Sequence, residues 1–198
     1  LQSGKKITLN GIADRVDVFE KYGKSYVRVI DYKTGSKTFS LADIEEGKNL
    51  QLLIYIFSLT NGRSSHLFSD KEPVPAGITY ISANVSKIKS QRYDSKEESL
   101  KAATDEIKRS GLILDDEAVI SAVSRSQSNR YLMATSRKRS TITRKSLDMI
   151  YGQVCDILKS IGDGMLTGNA NAVPKDGADT CKYCPYSHVC RASEKEKK

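Results

Sequence analysis

Apolar and polar residues alternate in the N-terminal part of the chain, which is the pattern of β-strands. Ile7 to Glu20 is rich in β-branched residues and predicts one strand. Lys21 to Lys24 predicts a turn, because Gly23 can adopt a positive φ. Tyr26 to Lys33 predicts a second strand, so the two segments together predict an antiparallel hairpin.

Helical patterns dominate the remaining sequence. Gly47 to Leu59 is apolar on every side, which is typical of a buried helix. The clearest helix carries Leu147, Ile150 and Val154 at helical spacing, and Gly162 can end it. This helix is predicted at Thr143 to Ile161, and the other predictions are a strand at Gly77 to Val85 and helices at Ser95 to Arg109 and at Asp115 to Val123.

The composition is that of a soluble globular domain, with 38% hydrophobic and 28% charged residues among 198. No run approaches the roughly 18 apolar residues of a membrane span, so we expect no membrane association and a cytoplasmic location. Leu1 in place of Met predicts a piece of a longer protein, with the start of its domain missing. The expected parts are a core at 1–168, a cysteine segment at 169–191 and a charged tail at 192–198.

The net charge of +8 is concentrated in one stretch. No acidic residue lies between Glu117 and Asp148, whereas seven basic residues do: Arg125, Arg130, Arg137, Lys138, Arg139, Arg144 and Lys145. Such a run favours DNA as a partner, because cations that neutralise phosphates release condensed counterions. We expect Arg137, Lys138 and Arg139 to contact DNA. A solvated loop, or a docking surface for a protein partner, would account for the same charges.

The second predicted strand carries candidate chemistry. Asp31 and Lys33 are two positions apart, so their side chains point to the same face. A carboxylate is a hard ligand for Mg²⁺, and a lysine can orient water or offset charge on a phosphate. A second carboxylate must come from the first strand. A two-residue loop such as Gly23-Lys24 places Asp14 across from Lys33, whereas a loop with an odd number of residues selects Asp17.

The following helix carries two polar residues on an apolar background. Gln51 and Tyr55 are one helical turn apart among Leu, Ile and Phe residues. A buried amide left without a partner costs about 1–3 kcal/mol, so a polar group must lie against this face. A structural contact to backbone would satisfy the amide equally well.

The four cysteines predict a metal site. Cys181, Cys184 and Cys190 crowd into ten residues of a lysine-rich chain, a spacing that suits zinc or an iron–sulfur cluster. Both need a fourth ligand, for which Cys155 and His188 are candidates. Cys155 lies beside an apolar helix stripe, where a thiol also acts as a small hydrophobic group.

The segments GIADRVD (Gly11 to Asp17), VIDYKTG (Val29 to Gly35) and LQLLIY (Leu50 to Tyr55) together closely resemble the motifs of RecB-like PD-(D/E)XK nucleases. The resemblance implies an α/β fold, a restriction-endonuclease-like core with a mixed central sheet flanked by helices. It also implies DNA cleavage that depends on Mg²⁺ or Mn²⁺. The implied roles are metal binding by Asp14 and Asp31, action on water by Lys33, support by Gln51 and Tyr55, and a structural role for Asp17 beside Arg15.

The cysteine spacing is similar to that of the RecB-like nucleases that carry a C-terminal iron–sulfur clasp. The resemblance implies a [4Fe–4S] cluster held by Cys181, Cys184 and Cys190 and completed by a cysteine upstream of Leu1. Many relatives also place a metal-binding histidine upstream, and neither His66 nor His188 lies in that position, so the piece alone is not expected to be active.

Within this group the pattern is most similar to the C-terminal nuclease domain of the B subunit of AddAB-type ATP-dependent helicase/deoxyribonucleases. The similarity implies an exonuclease that acts in double-strand break repair and recombination, with an AddA-type helicase–nuclease subunit as partner. Three alternatives remain. They are an inactive nuclease-like scaffold that binds DNA, a stand-alone CRISPR-associated iron–sulfur exonuclease, and a zinc-dependent DNA-binding module.

Overall fold

The computed structural model describes most of the chain, in segments separated by gaps. The described residues are 1–35, 37–61, 67–68, 71–83, 95–99, 109–125, 141–171, 173, 178–182 and 184–190.

A mixed five-stranded sheet forms the centre of the described fold. Its strands follow one another in space in chain order: β1 (Arg15–Lys21), β2 (Lys24–Lys33), β3 (Glu72–Ser82), β4 (Arg109–Leu114) and β5 (Thr141–Ile142). The β1–β2 and β3–β4 pairs are antiparallel, whereas β2–β3 and β4–β5 are parallel. The predicted mixed sheet is therefore confirmed.

Six helices accompany the sheet with both ends among the described residues: α1 (Ala42–Glu45), α2 (Gln51–Asn61), α3 (Glu117–Arg125), α4 (Arg144–Leu166), α5 (Ala178–Cys181) and α6 (Ser187–Cys190). Helix α2 packs on β2 and β3, and α3 packs on β4. Asp116 caps α3 because its Oδ1 accepts the backbone N–H of Ala118 at 2.8 Å. Thr143 caps α4 in the same way, through the N–H of Ser146 at 3.2 Å.

The predicted hairpin is present, with a two-residue turn. Tyr22 and Gly23 both have positive φ, at 52° and 72°, as a tight turn between twisted strands requires. The loop is therefore Tyr22-Gly23 and not Gly23-Lys24. Strand β1 begins at Arg15 rather than at Ile7.

Strands β3 and β4 differ from the sequence prediction. The first half of β3 was not predicted because it contains Pro73 and Pro75, and proline has no N–H to donate to a strand ladder. Both prolines pair only with β2 in the register, since β4 pairs from Gly77 onward. Strand β4 was not predicted. Glycine is uncommon inside a strand, yet β4 contains Gly111 because a Cβ there would lie 2.0 Å from the carbonyl oxygen of Ile78.

Helix boundaries also shift for local reasons. Helix α2 begins at Gln51 rather than Gly47, because Gly47 and Asn49 have φ values of 73° and 55° that no right-handed helix contains. Helix α4 continues through Gly162 to Leu166. A Cβ at Gly162 would lie 2.8 Å from Leu1 Cδ2. This glycine therefore serves close packing and does not end the helix.

The predicted helix at Ser95 to Arg109 is described only at its start. There Ser95 and Glu98 form a capping box, in which the N–H of Ser95 donates to Glu98 Oε2 at 2.8 Å and the N–H of Glu98 donates to Ser95 Oγ at 3.2 Å. Residues 100–108, and Val85 of the predicted third strand, lie outside the described residues.

Contacts divide the chain into two compact units, one formed by residues 1–8 with 156–198 and the other by residues 9–155. The predicted boundary at residue 168 lies within the first unit, and the predicted tail at 192–198 lies outside the described residues. None of the described helices is long and apolar enough to cross a membrane.

Candidate active site

Asp31 is the buried centre of the candidate site. It lies on β2, is 3% exposed, and its Oδ2 is 2.7 Å from Lys33 Nζ. Apart from this ion pair, Oδ2 has no hydrogen-bond partner among the described residues. The Lys33 ammonium offsets the charge of the buried carboxylate, and Oδ2 keeps lone pairs that a metal ion could share.

Gln51, the first residue of α2, connects the members of the site. Its Nε2 donates to Asp31 Oδ1 at 3.4 Å and to the Tyr55 hydroxyl at 3.2 Å. Its Oε1 accepts a hydrogen bond from Lys33 Nζ at 3.2 Å. The polar partners that the sequence required for Gln51 are therefore Asp31, Lys33 and Tyr55, and the amide holds the carboxylate and the ammonium in fixed positions.

Asp14 lies just before β1, on the same face as Asp31. The β1–β2 register begins with Arg15 opposite Ile30. Continued by one residue, it places Asp14 opposite Asp31, whereas the sequence predicted Asp14 opposite Lys33. The even loop favours Asp14 over Asp17 by register, and the role of Asp14 as a metal ligand stays a prediction. Its Oδ2 accepts the backbone N–H of Tyr32 at 2.9 Å. That N–H is then lost to the ladder, which explains why β1 extends no further towards the N-terminus.

Asp17 is engaged elsewhere. Its Oδ1 accepts a hydrogen bond from Arg15 Nε at 2.7 Å, and its Oδ2 accepts one from Nη2 at 3.3 Å. The bidentate pair raises the pKa of Arg15, mainly through the hydrogen bond to Asp17. Asp17 therefore lies beside Arg15 on the hairpin surface, as the resemblance implied.

Gly11 borders the site from the chain segment before β1. A Cβ at this position would lie 2.6 Å from Tyr55 Cε1 and 3.1 Å from the Tyr55 hydroxyl oxygen. Only glycine leaves room for the tyrosine ring. The first motif therefore needs glycine at position 11, because a larger residue would displace the Tyr55 side chain to which Gln51 is hydrogen-bonded.

Tyr80 belongs to the site and was missed by the sequence reasoning. It pairs with Asp31 in the parallel β2–β3 register and is 1% exposed. Burial raises its pKa to about 12, with a smaller contribution from the negative charge of Asp31, so the hydroxyl is neutral at physiological pH. Its hydroxyl has no partner among the described residues. The only signal in the sequence was its place on a predicted strand.

The donor set at Asp31 suits a divalent cation. Mg²⁺ is commonly held by one or two carboxylates together with water and substrate phosphate. Asp31 offers a buried oxygen without a hydrogen bond, and Asp14 follows on the same face. The described residues contain no group of three or more His, Cys, Asp or Glu side chains placed to hold a metal.

The three clustered cysteines lie in the unit formed by residues 1–8 and 156–198. Cys181 ends α5 and Cys190 ends α6, and the N–H of Cys184 donates to the carbonyl oxygen of Cys181 at 3.1 Å. All are free thiols, as is half-buried Cys155. In the described part of the chain the three thiols are not brought together as a metal-binding group. The cysteine clasp thus stays a prediction from spacing.

The predicted DNA contacts Arg137, Lys138 and Arg139 lie outside the described residues. At the end of the same basic run, Arg144 Nε is 3.0 Å from Asp148 Oδ1, one helical turn further along α4. The charge of Arg144 is therefore partly offset.

A model of the PD-(D/E)XK nuclease superfamily matches residues 1–191. The chain therefore belongs to this superfamily, and its mixed sheet with an Asp-x-Lys pair on β2 is the corresponding fold. Its relatives include the ATP-dependent helicase/deoxyribonuclease B subunits of Thermoanaerobacter sp. (strain X514), at 34% identity, and of Alkaliphilus oremlandii (strain OhILAs), at 35%. Each alignment covers 96% of this chain and 17% of the relative, so the chain spans about a sixth of their length.

Proposed function

We propose that this chain is a nuclease domain that hydrolyses phosphodiester bonds of DNA with Mg²⁺ or Mn²⁺. The observation that carries the proposal is the buried Asp31 oxygen, which lies beside Lys33 and lacks a hydrogen bond. Membership of a nuclease superfamily supports the same reaction. The proposal explains why an apolar helix begins with an amide that touches both charged groups.

The residues have separate roles in this proposal. Asp31 and Asp14 hold the cation, which when bound supplies a nucleophilic water and neutralises phosphate charge. Lys33 donates hydrogen bonds to the water or to a phosphate oxygen where negative charge develops. Gln51 keeps Lys33 beside Asp31, and Tyr55 fixes the amide orientation of Gln51. Tyr55 and Gln51 therefore act by positioning.

The wider assignment rests on the names of the relatives. Proteins named as B subunits of ATP-dependent helicase/deoxyribonucleases align with 96% of this chain. We infer that the chain acts as an exonuclease within a cytoplasmic helicase–nuclease complex that serves double-strand break repair and recombination. The partner in this proposal is an AddA-type subunit. Relatives that are named as one subunit of an enzyme support the existence of a partner.

The proposal includes a [4Fe–4S] cluster bound by Cys181, Cys184 and Cys190, with a fourth thiolate from outside the described residues. Its support is chemical. The thiols are free, and a Cys-x2-Cys pair with a third cysteine nearby is a ligand spacing of such clusters. Helix α6, which ends at Cys190, has no buried residue, so it has no apolar core of its own to hold it.

The first test removes the proposed chemistry one residue at a time. In the full-length protein with its partner subunit, Asp31→Ala and Lys33→Ala should each lower the rate of DNA cleavage by at least about 100-fold. DNA binding should change little, because neither substitution removes a surface cation cluster. Cleavage of a labelled single-stranded oligonucleotide, with and without EDTA, measures the effect.

The hairpin supplies a matched control. Asp17→Ala removes a carboxylate of the same strand but only breaks the surface pair with Arg15, so its effect on cleavage should be much smaller than that of Asp14→Ala. Wild-type cleavage by Asp31→Ala protein would refute the assignment. A larger loss in Asp17→Ala than in Asp14→Ala would show that the metal lies on the other face of the hairpin.

A further inference from the structure

Tyr80 has a second lysine over its ring, and the proposed reaction does not account for it. Lys33 Nζ lies 5.8 Å from the centroid of the Tyr80 ring, and Lys37 Nζ lies 5.0 Å from the same centroid. Both distances are within the roughly 6 Å at which a cation is attracted to an aromatic face. Two ammonium groups thus share one buried ring, directly beside Asp31 in the sheet register.

The two lysines differ in what neutralises them. Lys33 is paired with Asp31 at 2.7 Å and hydrogen-bonded to Gln51. Lys37 is exposed and has no carboxylate within ion-pair distance among the described residues. An exposed ammonium without such a partner is available to bind an arriving anion. DNA phosphate is the anion that the proposed reaction brings to this place.

Tyr80 is suited to hold such a cation in position. Its side chain is 1% exposed, so the surrounding packing limits its movement. Its neutral hydroxyl adds no competing charge. The contact with the ring therefore orients Lys37 without neutralising it, which leaves the full ammonium charge for a phosphate.

We propose that Lys37 is a substrate-binding residue that contacts a DNA phosphate next to the one being cleaved, and that Tyr80 is the positioning residue that holds it beside Lys33. This inference rests on the proposed nuclease function and adds a binding residue to it. Neither residue belongs to the sequence motifs, since Lys37 follows the strand that carries Asp31 and Lys33, and Tyr80 lies on β3.

The test compares two replacements of Lys37 in the full-length protein with its partner subunit. Lys37→Met keeps the length of the side chain over the ring and removes the charge, whereas Lys37→Arg keeps the charge. For a short single-stranded oligonucleotide without ATP, Lys37→Met should raise KM about three- to tenfold and change kcat less than about twofold. It should also flatten the slope of log affinity against log salt by about 0.7, the value for one phosphate contact on a single strand. Lys37→Arg should resemble wild type.

The hairpin turn provides the matched control. Lys21 Nζ lies 4.8 Å from the ring of Tyr22, at the end of β2 opposite to Asp31. Lys21→Met therefore also removes one positive charge that lies over a tyrosine ring, but does so away from the site. The KM and the salt slope of this variant should stay at wild-type values. Wild-type KM and slope in Lys37→Met would overturn the proposal, as would an equal change in Lys21→Met.

The role of Tyr80 is tested by a double-mutant cycle. Tyr80→Phe keeps the ring and should preserve the full effect of Lys37→Met, whereas Tyr80→Leu should reduce that effect. If Lys37→Met has the same effect in Tyr80→Leu as in the wild type, the positioning role of Tyr80 is overturned. If Tyr80→Leu does not fold, the Lys37 variants alone decide whether Lys37 contacts phosphate.

Affinity measured in the Asp31→Ala background separates this inference from the proposed function. A Lys37→Met effect on affinity, together with full cleavage by Asp31→Ala protein, would refute the nuclease site and keep the phosphate contact. Loss of cleavage in Asp31→Ala with unchanged affinity in Lys37→Met would keep the nuclease site and refute the phosphate contact of Lys37.

Discussion

At the scale of single residues, Gln51 is the member of the site that the others depend on. One amide touches the carboxylate of Asp31, the ammonium of Lys33 and the hydroxyl of Tyr55. An amide can do this because it offers both donors and an acceptor, whereas a carboxylate in its place would repel Asp31. The arrangement limits the movement of Lys33, and a positioned lysine is worth more to a reaction than a mobile one.

Gly11 should be as sensitive as the charged residues, although it carries no chemistry. Gly11→Ala brings a Cβ within 2.6 Å of the Tyr55 ring, so the ring must move and its hydrogen bond with Gln51 is lost. We expect cleavage to fall about ten- to hundredfold, because displacements of about 1 Å cost up to that much. Steady-state cleavage of a labelled oligonucleotide measures the loss.

A second substitution identifies the cause of that loss. If Gly11→Ala acts only through the ring, it should have little further effect once Tyr55 is replaced by alanine, since the two changes then remove the same contact. Additive losses in the double variant would mean that Gly11 acts by another route.

At the scale of elements, the close approach of β3 and β4 shapes the sheet behind the site. Gly77 and Gly111 lie where the two backbones are nearest, with a Cβ at Gly111 2.0 Å from the Ile78 carbonyl oxygen and one at Gly77 2.7 Å from that of Leu112. Neither obstacle is a flexible side chain. The pairing therefore depends on glycine in both strands, and β3 in turn carries Tyr80 to Asp31.

Gly111→Ala should weaken this pairing. A methyl group forced against backbone costs about 1–3 kcal/mol, which should appear as faster hydrogen exchange of the β3 and β4 amides in the full-length protein. Gly152→Ala is the control, because this exposed glycine within α4 has nothing within 4 Å of a Cβ and alanine favours helices. Equal exchange in both variants would show that the strands separate without cost.

At the scale of the whole molecule, the chain is one part of the functional unit that we propose. It spans 17% of the length of the relatives named above. The net charge of +8 suits the proposed DNA substrate, because a basic surface concentrates a polyanion near the site.

The basic run should make binding dependent on salt. Replacing Arg137, Lys138 and Arg139 together by alanine should flatten the slope of log affinity against log salt by about two if most of them touch phosphate. The loss should be equal for all DNA sequences, because phosphate contacts carry no base information. Titrations of the full-length protein at several salt concentrations measure the slope.

The C-terminal tail offers the matched control. Lys195, Lys197 and Lys198 carry the same total charge but alternate with Glu194 and Glu196. Their joint replacement by alanine should leave the slope unchanged. An unchanged slope in the Arg137, Lys138 and Arg139 variant would instead favour a docking surface for the partner subunit.

The sequence by itself determined the local parts of the site. Asp31 and Lys33 share a face because strand periodicity requires it, and a buried amide at Gln51 required a polar partner. The choice of Asp14 over Asp17 depended on the two-residue loop that the structure shows. These inferences hold over short separations, where backbone geometry leaves few choices. The buried helix α2 followed from apolar residues alone, although its start depended on φ values that composition does not reveal.

Only the tertiary structure decided what depends on contacts between distant segments. Asp31 and Tyr80 become neighbours through the parallel β2–β3 register, and Gly11 meets Tyr55 across the site. Gly162 suggested a helix end and Gly111 lies on a strand that was not predicted, yet each occupies the interior of an element where another chain segment lies against it. The physical reason is the same in each case. Register and close packing are set by which surfaces meet, and no local preference along the chain specifies that.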